Sequence, residues 1–263
     1  MKKSEEMDLV CRIAHRASRI LCEGFGSRVR VEHKGLVDLV TEYDRRSEAL
    51  ILAALRKAFP EDRLWAEESG DSGSASDRTW YVDPLDGTTN YAHGLPVFAV
   101  SIALSDRKGL RLGVIYDPMR GECFWGERGR GAFLNENRLR VSEVSDLGES
   151  LLVTGFPYDI RSNPENNLEN YAKFAVRCLG VRRLGSATLD MAYVAAGRLD
   201  GFWELRLSPW DVAAGSLLIQ EAGGTVTDLQ GRPEFLTASP SIVAANPQLH
   251  PRMLEILRQQ PGA

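Results

Sequence analysis

The chain has 263 residues, 43% of them hydrophobic and 26% charged, with a formal net charge of −4. That is the make-up of a soluble globular protein with room for one large domain or two small ones, and it gives no reason to expect nucleic acid or an anionic membrane as main partner. No apolar run approaches the about 20 residues that span a bilayer, and the start, Met1-Lys2-Lys3-Ser4-Glu5-Glu6, has no apolar signal core, so the cytoplasm is the expected compartment.

Met7 to Phe25 carries Leu9, Ile13, Ala17, Ile20 and Leu21 at helical spacing, which predicts an amphipathic helix ended at Gly24 or Gly26. Cys11 and Cys22 would share a face of it. The four cysteines (11, 22, 123 and 178) show no CxxC spacing, which points to buried free thiols rather than disulfides or a zinc site. His15, His33, His93 and His250 are scattered and suggest no triad. Val29 to Glu32 reads as a short strand and His33 to Leu36 as a loop. Asp38 leads into a second helix that runs through Phe59 to Pro60. Thr41 and Asp44 have the spacing of a capping box, which by itself would account for Asp44.

Leu64 to Ser69 reads as a strand ending in Glu67 and Glu68, which ordinarily marks a solvated edge; alternation would send the two acids to opposite faces. The Gly-, Ser- and Asp-rich stretch Gly70 to Arg78 reads as a flexible loop. Then comes the most informative run, Trp80-Tyr81-Val82-Asp83-Pro84-Leu85-Asp86-Gly87-Thr88-Thr89-Asn90. Its apolar start predicts a buried strand that stops at Pro84, which has no N–H for a ladder. Asp83 and Asp86 flank a sharp turn, Gly87 permits unusual backbone angles, and Thr88 or Thr89 can cap a helix. Asp-Pro and Asp-Gly are also ordinary turn dipeptides. Paired carboxylates suit a hard cation such as Mg²⁺, and N–H groups at a helix start suit phosphate.

Strands follow at Phe98–Leu104, Leu112–Tyr116 and Glu122–Trp125. Asn135-Glu136-Asn137 is the expected turn of a hairpin between Ala132–Leu134 and Arg138–Val141. Polar Ser142 to Glu149 marks a boundary between an N-terminal α+β subdomain (1–145) and a C-terminal α/β subdomain (146–263). In the second part, helices are predicted at Asn166–Cys178, Thr188–Ala196, Asp211–Ala222 and Pro247–Arg258. They alternate with strands at Ser150–Thr154, Val181–Leu184, Phe202–Glu204, Thr225–Asp228 and Ser241–Ala245. Asp211 near a helix start has a capping role available as well as a metal-binding one. Arg182-Arg183, near Arg177, reads as a solvated charge cluster, the one local hint of an anionic partner.

The run Asp83-Pro84-Leu85-Asp86-Gly87-Thr88-Thr89-Asn90-Tyr91 resembles the signature of the inositol monophosphatase family of Mg²⁺-dependent, lithium-sensitive phosphatases. Trp210-Asp211-Val212-Ala213-Ala214-Gly215, running on to Glu221-Ala222-Gly223-Gly224, is similar to its second signature, and the likeness extends from about Asp38 to Asp228. The resemblance implies a layered αβαβα sandwich, α+β in its N-terminal part and α/β in its C-terminal part, and a homodimer. It also implies two to three Mg²⁺ ions. Glu67, Asp83 and the Leu85 carbonyl would hold the first; Asp83, Asp86 and Asp211 the second; a third would sit near Glu67.

By the same resemblance, Asp44 polarises Thr88, and Thr88 with Glu67 acts on the attacking water. Leu85, Asp86, Gly87, Thr88, Gly185, Ser186, Ala187, Glu204 and Asp211 would meet the substrate. No Cys, His or Ser is set up as a nucleophile, so no phosphoenzyme is expected. The expected reaction is hydrolysis of a small phosphorylated polyol, myo-inositol monophosphate first. Fructose 1,6-bisphosphate, NADP and histidinol phosphate remain alternatives, because related folds differ mainly in pocket loops. Glu204 can alternatively be read as a surface acid at a strand end. A regulatory binding protein on the same fold is the rival from another class.

Overall fold

The structure is a computed structural model that describes residues 3–27, 31–33 and 39–259. Residues 29–30 of the first expected strand, 34–36 of the loop after it, and Asp38 lie outside the described residues. Helix α1 (Glu5–Gly24) starts at Ser4, whose hydroxyl accepts the Met7 N–H at 3.1 Å. Its buried stripe includes Met7, Val10, Ile13, Ala14, Ala17 and Leu21. A two-stranded ribbon, β1 (Val31–His33) and β2 (Leu39–Thr41), leads into α2 (Glu42–Ala58).

The large sheet comprises β3 (Arg63–Ala66), β4 (Gly70–Asp71), β5 (Thr79–Asp86), then past the short helix α3 (Thr88–Ala92), β6 (Ala99–Asp106), β7 (Gly109–Asp117), β8 (Glu122–Glu127), β9 (Gly131–Leu134) and β10 (Asn137–Arg138). Its order is β10-β9-β8-β7-β6-β5-β3-β4, antiparallel throughout except for β3 beside β5.

The remainder runs β11 (Leu151–Thr154), α4 (Leu168–Ala175), β12 (Gly180–Arg182), α5 (Ala187–Ala195), β13 (Gly201–Glu204), α6 (Pro209–Glu221), β14 (Thr225–Asp228), β15 (Ile242–Ala245) and α7 (Leu249–Arg258). The second sheet has the order β12-β11-β13-β15-β14, parallel among β12, β11 and β13 and antiparallel at β15.

These elements form the expected αβαβα layers. Helices α1 and α2 cover the outer face of the large sheet, around Trp80, Phe98 and Ile102. Helices α5 and α6 fill the space between the sheets, and α4 and α7 cover the far side around Phe174 and Trp203. Helix α6 is apolar all round, with Val212, Ala213, Ala214, Leu217, Leu218 and Ile219 buried, because a sheet lies on either side of it.

Several expectations need correction. Strand β5 does not stop at Pro84 but continues to Asp86, with a register shift against β6 between Asp83 and Asp86. The proline is tolerated because β3 pairs only as far as Val82 and the shift absorbs the missing donor. Strand β3 ends at Ala66, so strand alternation does not separate Glu67 from Glu68; both lie in the following turn. Gly70 to Arg78 is not all loop: Gly70 and Asp71 pair with β3, and the Arg63 guanidinium bridges to Asp71. His33 belongs to β1. The helix expected at 166–178 is the shorter α4, and the last strand of the hairpin is only Asn137–Arg138. Cys22 is exposed although Cys11 is buried, since Leu21 and Gly24 take the inner face in the last turn of α1.

Candidate active site

Strand β5 brings Asp83 and Asp86 to its end through the register shift. Asp83 is 1% exposed, and its Oδ1 accepts the Leu85 N–H at 3.0 Å. Gly87 then adopts φ +91°, and a Cβ there would stand 2.8 Å from the Val97 carbonyl oxygen and 3.3 Å from that of Gly185. Both the backbone angle and the space demand glycine at this turn. Helix α3 starts at once, and the Thr88 hydroxyl lies 3.0 Å from both Asp44 Oδ1 and the Leu85 carbonyl oxygen.

Asp44 contacts two partners with separate oxygens. Its Oδ2 accepts the Thr41 N–H at 2.9 Å and the Thr41 hydroxyl at 2.5 Å, which completes the capping box of α2. Its Oδ1 faces Thr88. Burial raises its pKa, against the hydrogen bonds from Thr41 and Thr88.

Asp211 likewise completes a cap. It is the third residue of α6, and its Oδ2 accepts the Ser208 N–H at 2.7 Å. Asp86 reaches across to the second sheet's helices: its Oδ2 accepts the Ser186 hydroxyl at 2.6 Å, the Thr188 N–H at 2.8 Å and the Thr188 hydroxyl at 2.6 Å. Glu67 donates its N–H to the Val82 carbonyl at 3.1 Å, which keeps it beside the strand that carries Asp83.

The four acids sense one another. Burial, then the charges of Glu67, Asp86 and Asp211, drive the Asp83 pKa well above the ordinary carboxylate range. Burial and repulsion from Asp86 and Glu67 do the same to Asp211, and burial raises Asp86 against its three donors. Buried acids in this relation call for a cation. Among the described residues no three Asp, Glu, His or Cys side chains close into a ready coordination cluster. Mg²⁺ keeps several waters and takes few carboxylates plus substrate phosphate, so oxygen donors such as Asp83, Asp86 and Asp211 are of the type it takes. The donor set fits.

Beside the acids lies a cavity of about 130 Å³, lined among others by Asp86, Gly185, Ser186, Ala187, Glu204 and Asp211. Glu67, Asp83, Leu85, Gly87, Thr88 and Asp44 do not line it; they stand on the β5 side, and Asp86 and Asp211 join the two parts. Glu204, at the end of β13, is 7% exposed, which excludes the reading of a surface acid. Burial, then the charge of Asp86, push its pKa up to about 8, opposed by Arg183. Larger clefts of about 590 and 730 Å³ lie elsewhere and contain none of these acids.

Five contributors escaped the sequence reading. Thr188 holds Asp86, and a Ser-x-Thr at a helix start could have signalled it. Asn90 Nδ2 donates to the Val97 and Leu184 carbonyls, both at 2.8 Å, and so ties the central turn to the second half. Gly155 leaves room for Glu204: a Cβ there would be 2.1 Å from Glu204 Oε1. Arg183 is exposed, as its reading as solvated expects, and it also lines the cavity. Asp190 also lines it, and an acid inside the apolar run Leu189-Asp190-Met191 was a visible anomaly.

The chain belongs to the inositol monophosphatase family, whose model matches residues 2–261. It is 49% identical over 237 residues to "Nus factor SuhB" of Pseudomonas aeruginosa, covering 88% of this chain and 86% of that one. Among solved structures it resembles the extragenic suppressor protein suhB of Bartonella henselae, with a TM-score of 0.92, 40% identity, and coverage of 99% of this chain and 100% of that one. It also resembles the inositol monophosphatase of Anabaena, with a TM-score of 0.89, 42% identity, and coverage of 97% and 96%. Among the described residues no helix is long and apolar enough to cross a membrane.

Proposed function

We propose that this chain is a Mg²⁺-dependent phosphate monoester hydrolase whose preferred substrates are inositol monophosphates. The observation that carries this reading is the placement of mutually repelling acids, Asp83, Asp86 and Asp211, between the Thr88–Asp44 pair and a small cavity walled by Glu204. The likeness to an inositol monophosphatase at 42% identity supports it.

Glu67, Asp83 and the Leu85 carbonyl would hold one ion, Asp83, Asp86 and Asp211 a second, with a third more loosely near Glu67. Mg²⁺ bound there supplies charge neutralisation for phosphate and leaving oxygen and acidifies water. The chain's own groups do the rest. With its hydroxyl donating to Asp44, the Thr88 oxygen can accept a hydrogen bond from the attacking water, and as that water loses a proton to Thr88 the Thr88 proton passes to the Asp44 carboxylate. Backbone N–H groups of Gly87 and Thr88 meet phosphate oxygens. Gly185, Ser186 and Ala187 bound the leaving alcohol, and Glu204 hydrogen-bonds its ring hydroxyls. Water attacks phosphorus, the ester P–O bond breaks, the leaving alkoxide takes a proton from a neighbouring water, and Asp44 gives its proton back to solvent, leaving free alcohol and inorganic phosphate.

The relatives named Nus factor SuhB support a second reading, a binding protein on the same fold, and the two roles can share one chain. We place the protein in the cytoplasm as a homodimer.

The test is a panel of phosphate monoesters assayed with Mg²⁺, with and without Li⁺. Turnover of inositol monophosphates, faster than of fructose 1,6-bisphosphate and lowered by Li⁺, is expected. Faster hydrolysis of the bisphosphate would overturn the substrate, and absence of turnover on every ester would leave the binding role.

A further inference from the structure

Asp190 has no part in the scheme above, yet its position is costly. It sits in the first turn of α5, 1% exposed, and its Oδ1 has no hydrogen-bond partner among the described residues. An unsatisfied buried oxygen destabilises a fold, and an acid facing other acids adds to that cost. Among the described residues the charges that act on it are Glu204 and Asp86, both repulsive, and Arg183, which opposes them. Leu, Met or Ala would fill the same place in an apolar helix at no such cost. An orphaned group of this kind is accounted for when its partner is something that enters the site.

The geometry identifies the entrant. Asp190 lines the same cavity as Glu204, and the two acids reach it from different elements, α5 and β13. At about 130 Å³ the cavity is well below the ~300–1,000 Å³ of pockets for drug-sized ligands, so its guest is small. Two carboxyl groups on one wall match two hydroxyls of a polyol, each hydroxyl able both to donate and to accept. Arg183 on the same wall would repel a cation placed between them.

We propose that Asp190 is a substrate-binding residue that, together with Glu204, grips two ring hydroxyls of the leaving alcohol and so selects cyclic polyol phosphates over simple esters. The inference rests on the hydrolase reading and deepens it. Glu204 is positioned by the Gly155 gap, whereas Asp190 is held by helix α5 itself, so the two acids are set independently.

The experiment measures kcat/KM of the full-length protein with Mg²⁺ for myo-inositol 1-phosphate and for 2-glycerophosphate, in wild type, D190A and D190N, alongside each melting temperature. Losing one such hydrogen bond should lower the inositol/glycerol preference about ten- to a hundredfold in D190A. D190N, whose amide can still bond a hydroxyl, should keep most of the preference. D190A should melt no lower than wild type, because it removes an unsatisfied acid and leaves a good helix former. An unchanged preference in D190A, or an equal loss with both D190A and D190N, would overturn the assignment. So would a D190A protein that unfolds more easily, since the fold would then be the partner of the carboxyl. Wild-type protein inert on both esters would instead overturn the hydrolase reading, and this inference with it.

Discussion

The two walls of the site are built in opposite ways. On the β5 side, Asp83, Leu85, Asp86, Gly87 and Thr88 come from a single continuous turn, fixed by a register shift and one left-handed glycine. On the cavity side, Gly155, Arg183, Asp190, Glu204 and Asp211 come from separate segments that meet only because the second sheet and helices α5 and α6 are packed. A local turn sets reacting groups with little freedom, while a wall assembled from several elements can change one guest for another. Chemistry should therefore fail most sharply on the first side and selectivity on the second.

The largest effect should come from Asp83→Asn. Asp83 would serve two ions, and an amide cannot supply the charge; Mg²⁺-dependent turnover should fall below detection in a protein of normal melting temperature. Retained turnover at saturating Mg²⁺ would break the contrast at its strongest point.

Next in size is Thr88→Ala, expected to lower kcat by about a hundredfold or more while leaving KM nearly unchanged, as removal of a proton-transfer group does. Asp44→Asn should resemble it, and the double variant should be no worse than the poorer single one. Additive losses would show that Asp44 acts only through its cap to Thr41.

Gly155→Ala sharpens the other side. Its methyl would collide with the Glu204 carboxylate, so it should reproduce Glu204→Ala. Both should cost inositol phosphates about ten- to a hundredfold in kcat/KM and 2-glycerophosphate less. Equal losses on both esters would make Glu204 a structural residue.

The smallest effect is on stability. The folded pKa of Glu204, about 8, is above its ordinary 4.5. The folded protein thus keeps a proton that the unfolded chain releases, and the contribution is full below about pH 4.5 and lost as pH rises through 8. In chelator, the melting temperature should fall from about pH 5 to pH 8, and Glu204→Gln should flatten that slope. Saturating Mg²⁺ should oppose it, because ligation needs the carboxylates deprotonated. A slope unaltered by the Gln variant would place the titration on other acids.

How much could be read from the chain follows the same division. Most helices and strands and the β5 turn were legible because periodicity, Pro, Gly and paired Asp all act over a few residues, whereas the αβαβα layering came from the resemblance to the family. The extent of β5 was not, since whether a proline ends a strand depends on which neighbour needs its N–H, a property of β3 and β6. Asp44 and Asp211 each admitted two readings, and the structure gives each acid a cap to complete while leaving it facing the site. Gly155 had no signal at all, because the collision it avoids is with a residue 49 positions later.

One contact reaches further. Asp86 spends Oδ2 on three donors from the start of α5, so a group that would bind cation is also the fastener between the two sheets' territories. If that fastening is made only part of the time, the apparent affinity for anything bound at Asp86 falls by the same fraction. Conversely, whatever settles at Asp86 tightens the joint. A distant substitution in the α5–β5 interface could then masquerade as a binding defect while every ligating atom stays in place, and dose-response curves for the ion would report on how well the molecule holds itself together.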